Sequence, residues 1–527
     1  MDIICFDSNV GIGKQGLKNP KEIWKTEDIL SVMEQCGVSA SLVYSRYSKD
    51  YAPKYGNEDL AKELEKSGRL FGCYTILPSL CGDFLNPEET TQDIKEKKMV
   101  AAKIFPRSHR YFPDERTMGE YYRALAQENI PLLADCSELN ISQLESVLEN
   151  HPDLNIVYQG VRWDEERMIF PLMREFKNLY LDFSVLQSNY VVERMVESFG
   201  ADRFVFGSGM PAMSLGAARA LIDYANISDS DKQKIFGGNL ARLCHVPLPG
   251  PQTLKNDSIA KEALEGKPIS VFLFDSHTHV LEDGGHCGGG LPMMKGDLEH
   301  MDALYKRIGV DKYCVAPWLA IWTDSEAGNK VMLDMVQRKP ERVYGYVLID
   351  PNYVQDIEGE AKKYHLDYKI PGLKMFYART RVRYNDPVYD PWWKIANENS
   401  LFALTDNGSY PSFLNDVEEL AIRYPNVTFF LDHAGQSFDV AINYAQYAKK
   451  YPNVYLQITY TSVTQGVIEY FVQEGLAGKV LYGTDSPMRD PRPQLGWVAY
   501  ANISYEDKKK ILGENMEGIL KRCFKKN

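Results

Sequence analysis

The sequence predicts two (β/α)8 TIM-like barrels in tandem, and three observations support this fold class. The chain has 527 residues, which is too long for a single hydrophobic core. Its two halves carry the same short motifs in the same order. Within each half, short apolar runs alternate with helix-like segments, which is typical of a parallel sheet covered by helices.

The repeated motifs indicate a duplication. Tyr-Ala-Asn-Ile-Ser occurs at residues 224–228 and again at 500–504, and residues 69–78 are matched by residues 342–351. Matches that keep their order along both halves are typical of one architecture used twice. Each half has the length of a (β/α)8 barrel.

The elements follow in order along the chain. Eight β-like runs, from residues 3–6 to 203–207, predict a first barrel over residues 1–245. The Pro-Leu-Pro-Gly-Pro segment at 247–251 cannot continue a helix, so residues 246–269 are expected to be a linker. A second barrel is predicted over residues 270–527. Its strands are expected at 271–275, 313–316, 343–349, 372–376, 402–405, 427–431, 454–458 and 479–482.

Chemically active residues follow the predicted strands of the second barrel. Active sites of this fold lie where the strands end at their carboxyl-terminal face. His277 and His279 are two positions apart on an extended segment, so both imidazoles point to one side and can reach one ion. The other strand ends contribute Lys374, Asp406, His433 and Asp485.

These segments resemble the amidohydrolase-related family, the amidohydrolase 2 branch of the metal-dependent amidohydrolase superfamily. The resemblance rests on four motifs and covers nearly all of residues 270–523, and the first half only weakly. The motifs are Asp-Ser-His-Thr-His at 275–279, Gly-Leu-Lys at 372–374, Asp-His-Ala-Gly at 432–435 and Tyr-Gly-Thr-Asp-Ser-Pro at 482–487.

The resemblance implies a role for each matched residue. His277 and His279 would bind a divalent metal, and Asp485 would bind it or accept a proton from its bound water. His433 would act as general acid or base. A bound divalent ion lowers the pKa of water toward about 7, which supplies a nucleophile at neutral pH.

Asp406 departs from the family pattern, which usually has a histidine at the end of strand five. A carboxylate there would make the site harder, so zinc remains the leading metal while manganese and iron(II) become alternatives. Asp135 of the first half survives at the same place without histidines. Asp406 is therefore only a tentative ligand, and His286 and Cys287 in the following loop are alternatives.

Four residues are candidates for substrate binding. Lys374 could be carboxylated to bridge two metals, but its counterpart Lys103 survives in the first half, which favours a structural or substrate-binding role. Arg379 and Arg381 would suit a carboxylate on the substrate, or could belong to a solvated loop. Trp318 could wall a ring-bearing substrate.

The first half lacks this chemistry. Asn9 and Gly11 replace the two histidines of strand one. Gln159 stands where the second half has His433, and Gly209 stands where it has Asp485. We therefore expect no catalytic metal in residues 1–245. The first barrel would instead be a permanent partner of the second, an intrachain pseudo-dimer that could also form homo-oligomers.

Composition narrows the class of partners. The net charge of −12 argues against nucleic acid and anionic membrane surfaces. Nine cysteines without a pairing rhythm are typical of a reducing cytoplasm, and no apolar run reaches transmembrane length.

The leading hypothesis is a metal-dependent hydrolase of a small carboxylated or cyclic molecule, acting in the second barrel through a metal-bound water. A nonoxidative decarboxylase using the same site is the alternative within the enzyme class. The alternative from another class is a catalytically silent ligand-binding or scaffold protein.

Overall fold

A computed structural model describes residues 3–16, 22–287, 291–408 and 410–525. The chain divides into two compact units, and the division falls between Asn256 and Asp257. Each unit contains one eight-stranded parallel sheet whose neighbouring strands follow chain order. The predicted fold class of two tandem (β/α)8 barrels is confirmed.

The first barrel has eight strands surrounded by helices. Its strands are β1 (Phe6–Ile12), β2 (Ala40–Ser45), β3 (Leu70–Thr75), β4 (Met99–Ile104), β5 (Leu132–Asp135), β6 (Ile156–Gln159), β7 (Leu179–Asp182) and β8 (Phe204–Val205). Its helices are α1 (Thr26–Gln35), α2 (Arg46–Asp50), α3 (Pro53–Leu64), α4 (Pro87–Glu96), α5 (Glu115–Gln127), α6 (Ile141–Asn150), α7 (Glu166–Glu175), α8 (Val191–Phe199), α9 (Leu215–Asp223), α10 (Asp229–Gln233) and α11 (Asn239–Leu243).

The second barrel repeats this plan and adds a small hairpin after its first strand. Its strands are β9 (Phe274–Val280), the hairpin strands β10 (His286–Cys287) and β11 (Met293–Met294), then β12 (Lys312–Pro317), β13 (Val343–Val347), β14 (Gly372–Met375), β15 (Phe402–Thr405), β16 (Thr428–Leu431), β17 (Val454–Ile458) and β18 (Val480–Tyr482). Its helices are α12 (Ser258–Leu264), α13 (Leu298–Ile308), α14 (Trp318–Trp322), α15 (Ser325–Arg338), α16 (Ile357–Ala361), α17 (Tyr377–Thr380), α18 (Asp390–Glu398), α19 (Phe413–Arg423), α20 (Phe438–Lys450), α21 (Val467–Gln473), α22 (Arg492–Ala499), α23 (Tyr505–Lys509) and α24 (Asn515–Leu520).

Each sheet closes between its first and last strands. Parallel bridges join Val10 to Met210 in the first barrel and Thr278 to Ser486 in the second. Buried strand side chains fill each barrel, including Phe6 and Leu133 in the first and Phe402 in the second. This closure gathers the carboxyl ends of all eight strands of a barrel into one mouth.

The structure corrects the first strand of both barrels. These strands were expected at residues 3–6 and 271–275, but β1 and β9 continue to Ile12 and Val280. The reason is pairing with the neighbouring strand, since His279 still lies opposite Ala316 of β12. His277 and His279 therefore lie within β9, close to its end at Val280.

The expected linker also contains structure. Helix α12 lies inside residues 246–269, and its N-terminus is capped by the Asp257 side chain, which accepts from the backbone N–H of Ala260 at 3.0 Å. None of the described helices is both long and apolar enough to cross a membrane.

Candidate metal and acid–base site of the second barrel

Two buried histidines and one aspartate converge at the mouth of the second barrel. The Nε2 atoms of His277 and His279 lie 3.5 and 2.7 Å from Oδ1 of Asp485. One potential ligand atom from each of the three residues lies within 4.8 Å of the others. The three sequence-predicted residues are therefore close enough together to surround a single ion.

The Nδ1 atoms of the two histidines lie close to hydrogen-bond acceptors on the side of each ring away from Asp485. Nδ1 of His277 lies 3.1 Å from Oδ1 of Asp432 and 3.3 Å from the side-chain oxygen of Gln457. Nδ1 of His279 lies 3.3 Å from the carbonyl oxygen of Ala316. Both Nε2 atoms face the Asp485 carboxylate, which is an acceptor as well. Metal binding through Nε2 therefore requires the tautomer with the proton on Nδ1, and the acceptors at Nδ1 are placed to support that tautomer.

The protonation state of this pair fits metal binding. Burial lowers the pKa of His277, and burial together with the nearby His277 lowers the pKa of His279 further. Both imidazoles are consequently neutral at pH 7, which is the form that binds metal. The buried Nε2 of His277 makes no hydrogen bond to any described residue, as expected of a side chain shaped for another partner.

Asp485 is presented by an unusual backbone conformation after β18. Its φ of 64° is in the left-handed region, and its N–H donates to the carbonyl oxygen of His277 at 2.8 Å. Its second carboxylate oxygen contacts the buried guanidinium of Arg489, which also donates to the Thr461 hydroxyl at 2.5 Å. Arg489 thus offsets the negative charge of Asp485 and fixes its orientation.

A second cluster lies beside the first and contains Asp406, Asp432 and His433. Nε2 of His433 lies 3.6 Å from Asp406, while its Nδ1 lies 2.6 Å from the hydroxyl of Thr459. Asp406 belongs to this group and not to the group of His277, His279 and Asp485. Its Oδ1 already accepts from the N–H of Gly408 at 2.7 Å, so its role as a metal ligand stays a prediction.

Lys374 forms a buried ion pair with Asp432, with 3.3 Å between Nζ and Oδ2. Burial alone would raise the pKa of Asp432, but the Lys374 ammonium and the hydrogen bond from His277 outweigh it and hold that pKa well below its ordinary range. Asp432 is therefore a carboxylate that links the two clusters. This contact supports a structural role for Lys374, although it also lines the cavity.

The mouth contains a cavity of about 520 Å³ with one apolar side. Trp318 packs edge-on against His279 with 5.0 Å between ring centroids, and Trp322 lies next to it at 5.2 Å. Arg379 stacks on Trp322 at 3.6 Å from the ring centroid. The described lining includes Trp318 but neither Arg379 nor Arg381, both of which are exposed on the surrounding loop.

Three residues of the site were missed by sequence reasoning. Asp432 was quoted only as part of a motif, Gln457 lies inside β17, and Arg489 follows Asp485 by four residues in the turn after β18. The signal for Asp432 and Arg489 was their position beside predicted site residues. Nothing in the sequence pattern distinguishes Gln457 from an ordinary strand residue. His286, considered as an alternative ligand, is exposed in the hairpin, and the side chain of Cys287 lies outside the described residues.

The same positions of the first barrel are filled differently. Asn9 and Gly209 occupy the places of His277 and Asp485, as the N–H of Gly209 donates to the carbonyl oxygen of Asn9 at 3.1 Å. A side chain added at Gly11 would meet the hydroxyl of Tyr44 at 3.1 Å and the Arg46 side chain at 3.3 Å. Space for the second histidine is thus already taken.

One correspondence between the barrels differs from the sequence-based alignment. Gln159 was expected to match His433, but it accepts from Nζ of Lys103 at 2.5 Å, as Asp432 does from Lys374. Gly160, with φ of 69°, matches the left-handed His433. The first barrel has therefore replaced the central carboxylate by an amide.

Comparison with known proteins agrees with the repeated architecture. The family model described as Amidohydrolase matches residues 73–244 and 275–521, one segment in each barrel. No curated protein matches the chain.

Three solved structures are similar to about half of the chain. The 5-carboxyvanillate decarboxylase LigW from Sphingomonas paucimobilis is 15% identical, covers 48% of this chain and 99% of its own, and has a TM-score of 0.38. The 2,6-dihydroxybenzoate decarboxylase from Rhizobium is 14% identical, with the same coverage and TM-score. A dihydroxybenzoic acid decarboxylase from Polaromonas, solved with bound manganese and the inhibitor 2-nitroresorcinol, is 16% identical, covers 48% of this chain and 97% of its own, and has a TM-score of 0.38.

Proposed function

The chain belongs to the amidohydrolase family of metal-dependent hydrolases and decarboxylases, and on that premise we propose that its second barrel is a metal-dependent hydrolase of a small carboxylated or cyclic molecule. The observation that carries the proposal is the convergence of two neutral, buried imidazoles on Asp485. Buried polar atoms normally form hydrogen bonds, but the buried Nε2 of His277 forms none with the described residues. A bound metal ion would supply the missing partner.

His277, His279 and Asp485 are the proposed metal ligands. Two nitrogens and one carboxylate suit zinc, which we take as the leading metal, while manganese and iron(II) accept the same donors. A divalent ion at this position would lower the pKa of a coordinated water toward about 7. Asp406 would add a ligand only if His433 released it.

His433 is the proposed general acid or base, with Asp485 as the neighbouring proton acceptor. The Thr459 hydroxyl and Asp406 hold its two ring nitrogens, which fixes the plane of the imidazole at the cavity wall. Burial raises the pKa of Asp406, but its contacts with His433 and Lys374 keep that pKa below its ordinary value. Asp406 therefore remains a carboxylate that can stabilise His433 in its protonated form.

The cavity defines the proposed substrate class. A volume of about 520 Å³ suits a small molecule, and Trp318 offers a flat apolar wall for a ring. Lys374 lines the same cavity and would attract a carboxylate. Arg379 and Arg381 would act at the rim, where they would guide an anionic molecule inward.

Decarboxylation is the second candidate, and the apolar wall beside the histidines favours it. Trp318, Ile321 and Phe376 lie on the lining of the same cavity as the charged residues. A carboxylate placed against such a wall would lose its favourable hydration, whereas neutral carbon dioxide has little hydration to lose. The wall would therefore favour conversion of the carboxylate into carbon dioxide. His433 would then supply the proton that replaces the lost carboxylate.

Metal analysis of the purified full chain tests the proposal. We expect a stoichiometric divalent metal that His277→Ala and Asp485→Asn both remove, whereas Asn9→Ala in the first barrel leaves it in place. His433→Asn should keep the metal and lose activity. Lactones, amides and aromatic acids are then screened, with ¹⁸O-water incorporation marking hydrolysis and carbon dioxide release marking decarboxylation. Unchanged metal content in both ligand variants would refute the proposed site and favour a silent binding protein.

A further inference from the structure

The first barrel also has a cavity at its mouth, and its volume of about 740 Å³ exceeds that of the second barrel's cavity. It lies over the loops that follow β4, β5 and β6. Three arginines line it, Arg107, Arg110 and Arg162, together with the aromatic residues Tyr111 and Phe112. We propose that this cavity binds a small organic anion, a carboxylate or a phosphate monoester with an apolar ring.

The loop that carries Arg107 and Arg110 is anchored at the residues between them. Ser108 donates to Glu138 through its N–H at 2.8 Å and through its hydroxyl at 2.6 Å. Nε2 of His109 donates to the carbonyl oxygens of Ser48 and Lys49, each at 3.1 Å. Arg110 is held in the left-handed region with φ of 59°. The arginines therefore project from a backbone that is fixed, which lowers the entropic cost of binding.

Two of the three guanidinium groups have no carboxylate partner among the described residues. Arg162 pairs with Asp164 at 2.7 Å, but no described acidic group lies within 4.0 Å of Arg107 or Arg110. The contact found for Arg107 is a long one, 3.4 Å to the carbonyl oxygen of Ser137. A guanidinium fork without a carboxylate is suited to bind carboxylate or phosphate oxygens in pairs.

The acidic residues of the lining do not cancel this charge. Glu138 is neutralised by Lys49 at 2.9 Å. Glu165 keeps its charge and accepts from the backbone N–H of Arg162 at 3.0 Å, so the three arginines, Asp164 and Glu165 together leave a net positive charge at the lining. Asn140 and Gln143 of the lining form the capping box of α6. The N-terminus of this ten-residue helix thus borders the cavity and adds a partial positive charge.

The expectation that the ligand has an apolar ring rests on Phe112. Its side chain is 74% exposed although it lies on the lining of the cavity. An aromatic ring left in water beside two arginines offers a stacking surface for the body of an anionic molecule.

The matching loop of the second barrel also carries three arginines, and two of them are engaged with other side chains. Arg379 stacks on Trp322, and Arg383 pairs with the buried Asp416. The third, Arg381, shares the left-handed backbone of Arg110 and lies 5.8 Å from the Tyr377 ring. The loop of the first barrel differs in that both Arg107 and Arg110 lack such a stacked or ion-paired partner among the described residues.

Hydrogen–deuterium exchange of the full chain with benzoate, phenyl phosphate or inorganic phosphate tests the proposal. We expect benzoate or phenyl phosphate to protect residues 105–114 and 136–145, and the preferred probe identifies the anion class. Inorganic phosphate, which lacks a ring, should bind more weakly than phenyl phosphate. Protection confined to the second barrel, or none with any probe at constant ionic strength, overturns the proposal.

Paired variants then assign the contacts. Arg107→Gln/Arg110→Gln should raise the Kd of the preferred probe about tenfold or more, the usual effect of losing a charge-assisted hydrogen bond. Arg116→Gln/Arg174→Gln changes the net charge equally at exposed positions outside the cavity lining and should leave the Kd unchanged. The same Kd in both double variants overturns the assignment. Binding that persists in His277→Ala shows that this site is independent of the proposed metal site.

Discussion

At the scale of single residues, Asp432 determines how the candidate metal site is organised. One of its oxygens lies 3.1 Å from Nδ1 of His277 and accepts from the N–H of His433 at 2.8 Å, while the other pairs with Lys374. A carboxylate behind a metal-binding histidine fixes the ring orientation and the tautomer. Asp432 thus acts through His277 and does not itself need to touch the ion.

We expect Asp432→Asn to weaken metal binding about 10- to 100-fold, the range for residues that support a ligating histidine. The amide would leave Lys374 without its ion pair and hold His277 less firmly. Metal affinity measured by competition with a chelating dye checks this. Asp439→Asn, an exposed change on the following helix, is the matched control. Equal affinities in the two variants would show that Asp432 has no positioning role.

Gly483 is the second residue on which the packing of the site depends. A Cβ added there would lie 1.6 Å from the side-chain nitrogen of Gln457 and 3.1 Å from Cβ of His277. The absence of a side chain at Gly483, directly after β18, therefore leaves room for the Gln457 side chain of β17 next to His277.

Gly483→Ala should therefore cost about 1–3 kcal/mol of unfolding free energy and lower the metal content, because Gln457 and His277 must both move. Gly478→Ala is the control, since a Cβ at that position would meet nothing within 4 Å. Urea denaturation and metal analysis of the two variants provide the measurement. A stable, metal-replete Gly483→Ala protein would contradict the proposed close contact.

At the scale of elements, the first strand of each barrel carries a buried aspartate that both copies have kept. Asp7 accepts from the N–H of Ser208, and Asp275 accepts from the hydroxyl of Thr484 at 2.6 Å. Burial raises the pKa of Asp7 to about 7 and that of Asp275 to about 6. In each barrel this aspartate joins the first strand to the turn after the last strand by hydrogen bonds. It therefore stabilises the closed barrel.

The raised pKa of Asp7 predicts how stability depends on pH. The folded protein binds a proton at Asp7 that the unfolded chain loses near pH 4, so unfolding free energy falls as pH rises from about 4 to 7. We expect this group to remove about 2–3 kcal/mol between pH 5 and pH 8.

Asp7→Asn, which cannot ionise, should reduce that fall. Urea denaturation at pH 5 and pH 8 compares the variant with the parent chain. The prediction fails if both proteins lose the same free energy between the two pH values.

At the scale of the whole molecule, the barrels share a fold but differ in what occupies their mouths. The first barrel has Asn9, Gly11 and Gly209 where the second has the three proposed metal ligands, and Tyr44 and Arg46 lie beside Gly11. Restoring the ligand residues alone should not restore the site.

We expect the triple variant Asn9→His/Gly11→His/Gly209→Asp, made in the His277→Ala background, to bind no metal. The new imidazole at position 11 would collide with Tyr44 and Arg46, while Gly209 already has the left-handed φ of 73° that its counterpart Asp485 adopts. Adding Tyr44→Ala should be needed before metal is recovered. Metal content per chain is the readout, and a metal-bound triple variant would show that the space is not limiting.

Much of this architecture could be predicted because the repeated motifs and the alternation of strands and helices depend on residues that are close together in the sequence. The site residues at or near the ends of strands one, six and eight were also predictable from those positions. The lengths of β1 and β9 were not, because polar residues such as His277 and His279 do not look like strand residues. Pairing with the neighbouring strand decides those lengths.

The sequence by itself determined two tandem barrels, the asymmetry between their mouths, and the grouping of His277 and His279 on one face. Only the tertiary structure decided that Asp406 lies with His433 instead of with the strand-one histidines, and that Asp432 links the two clusters. The physical reason is distance. Period-two geometry fixes neighbours within one strand, but partners from different strands are set by the register and closure of the whole barrel.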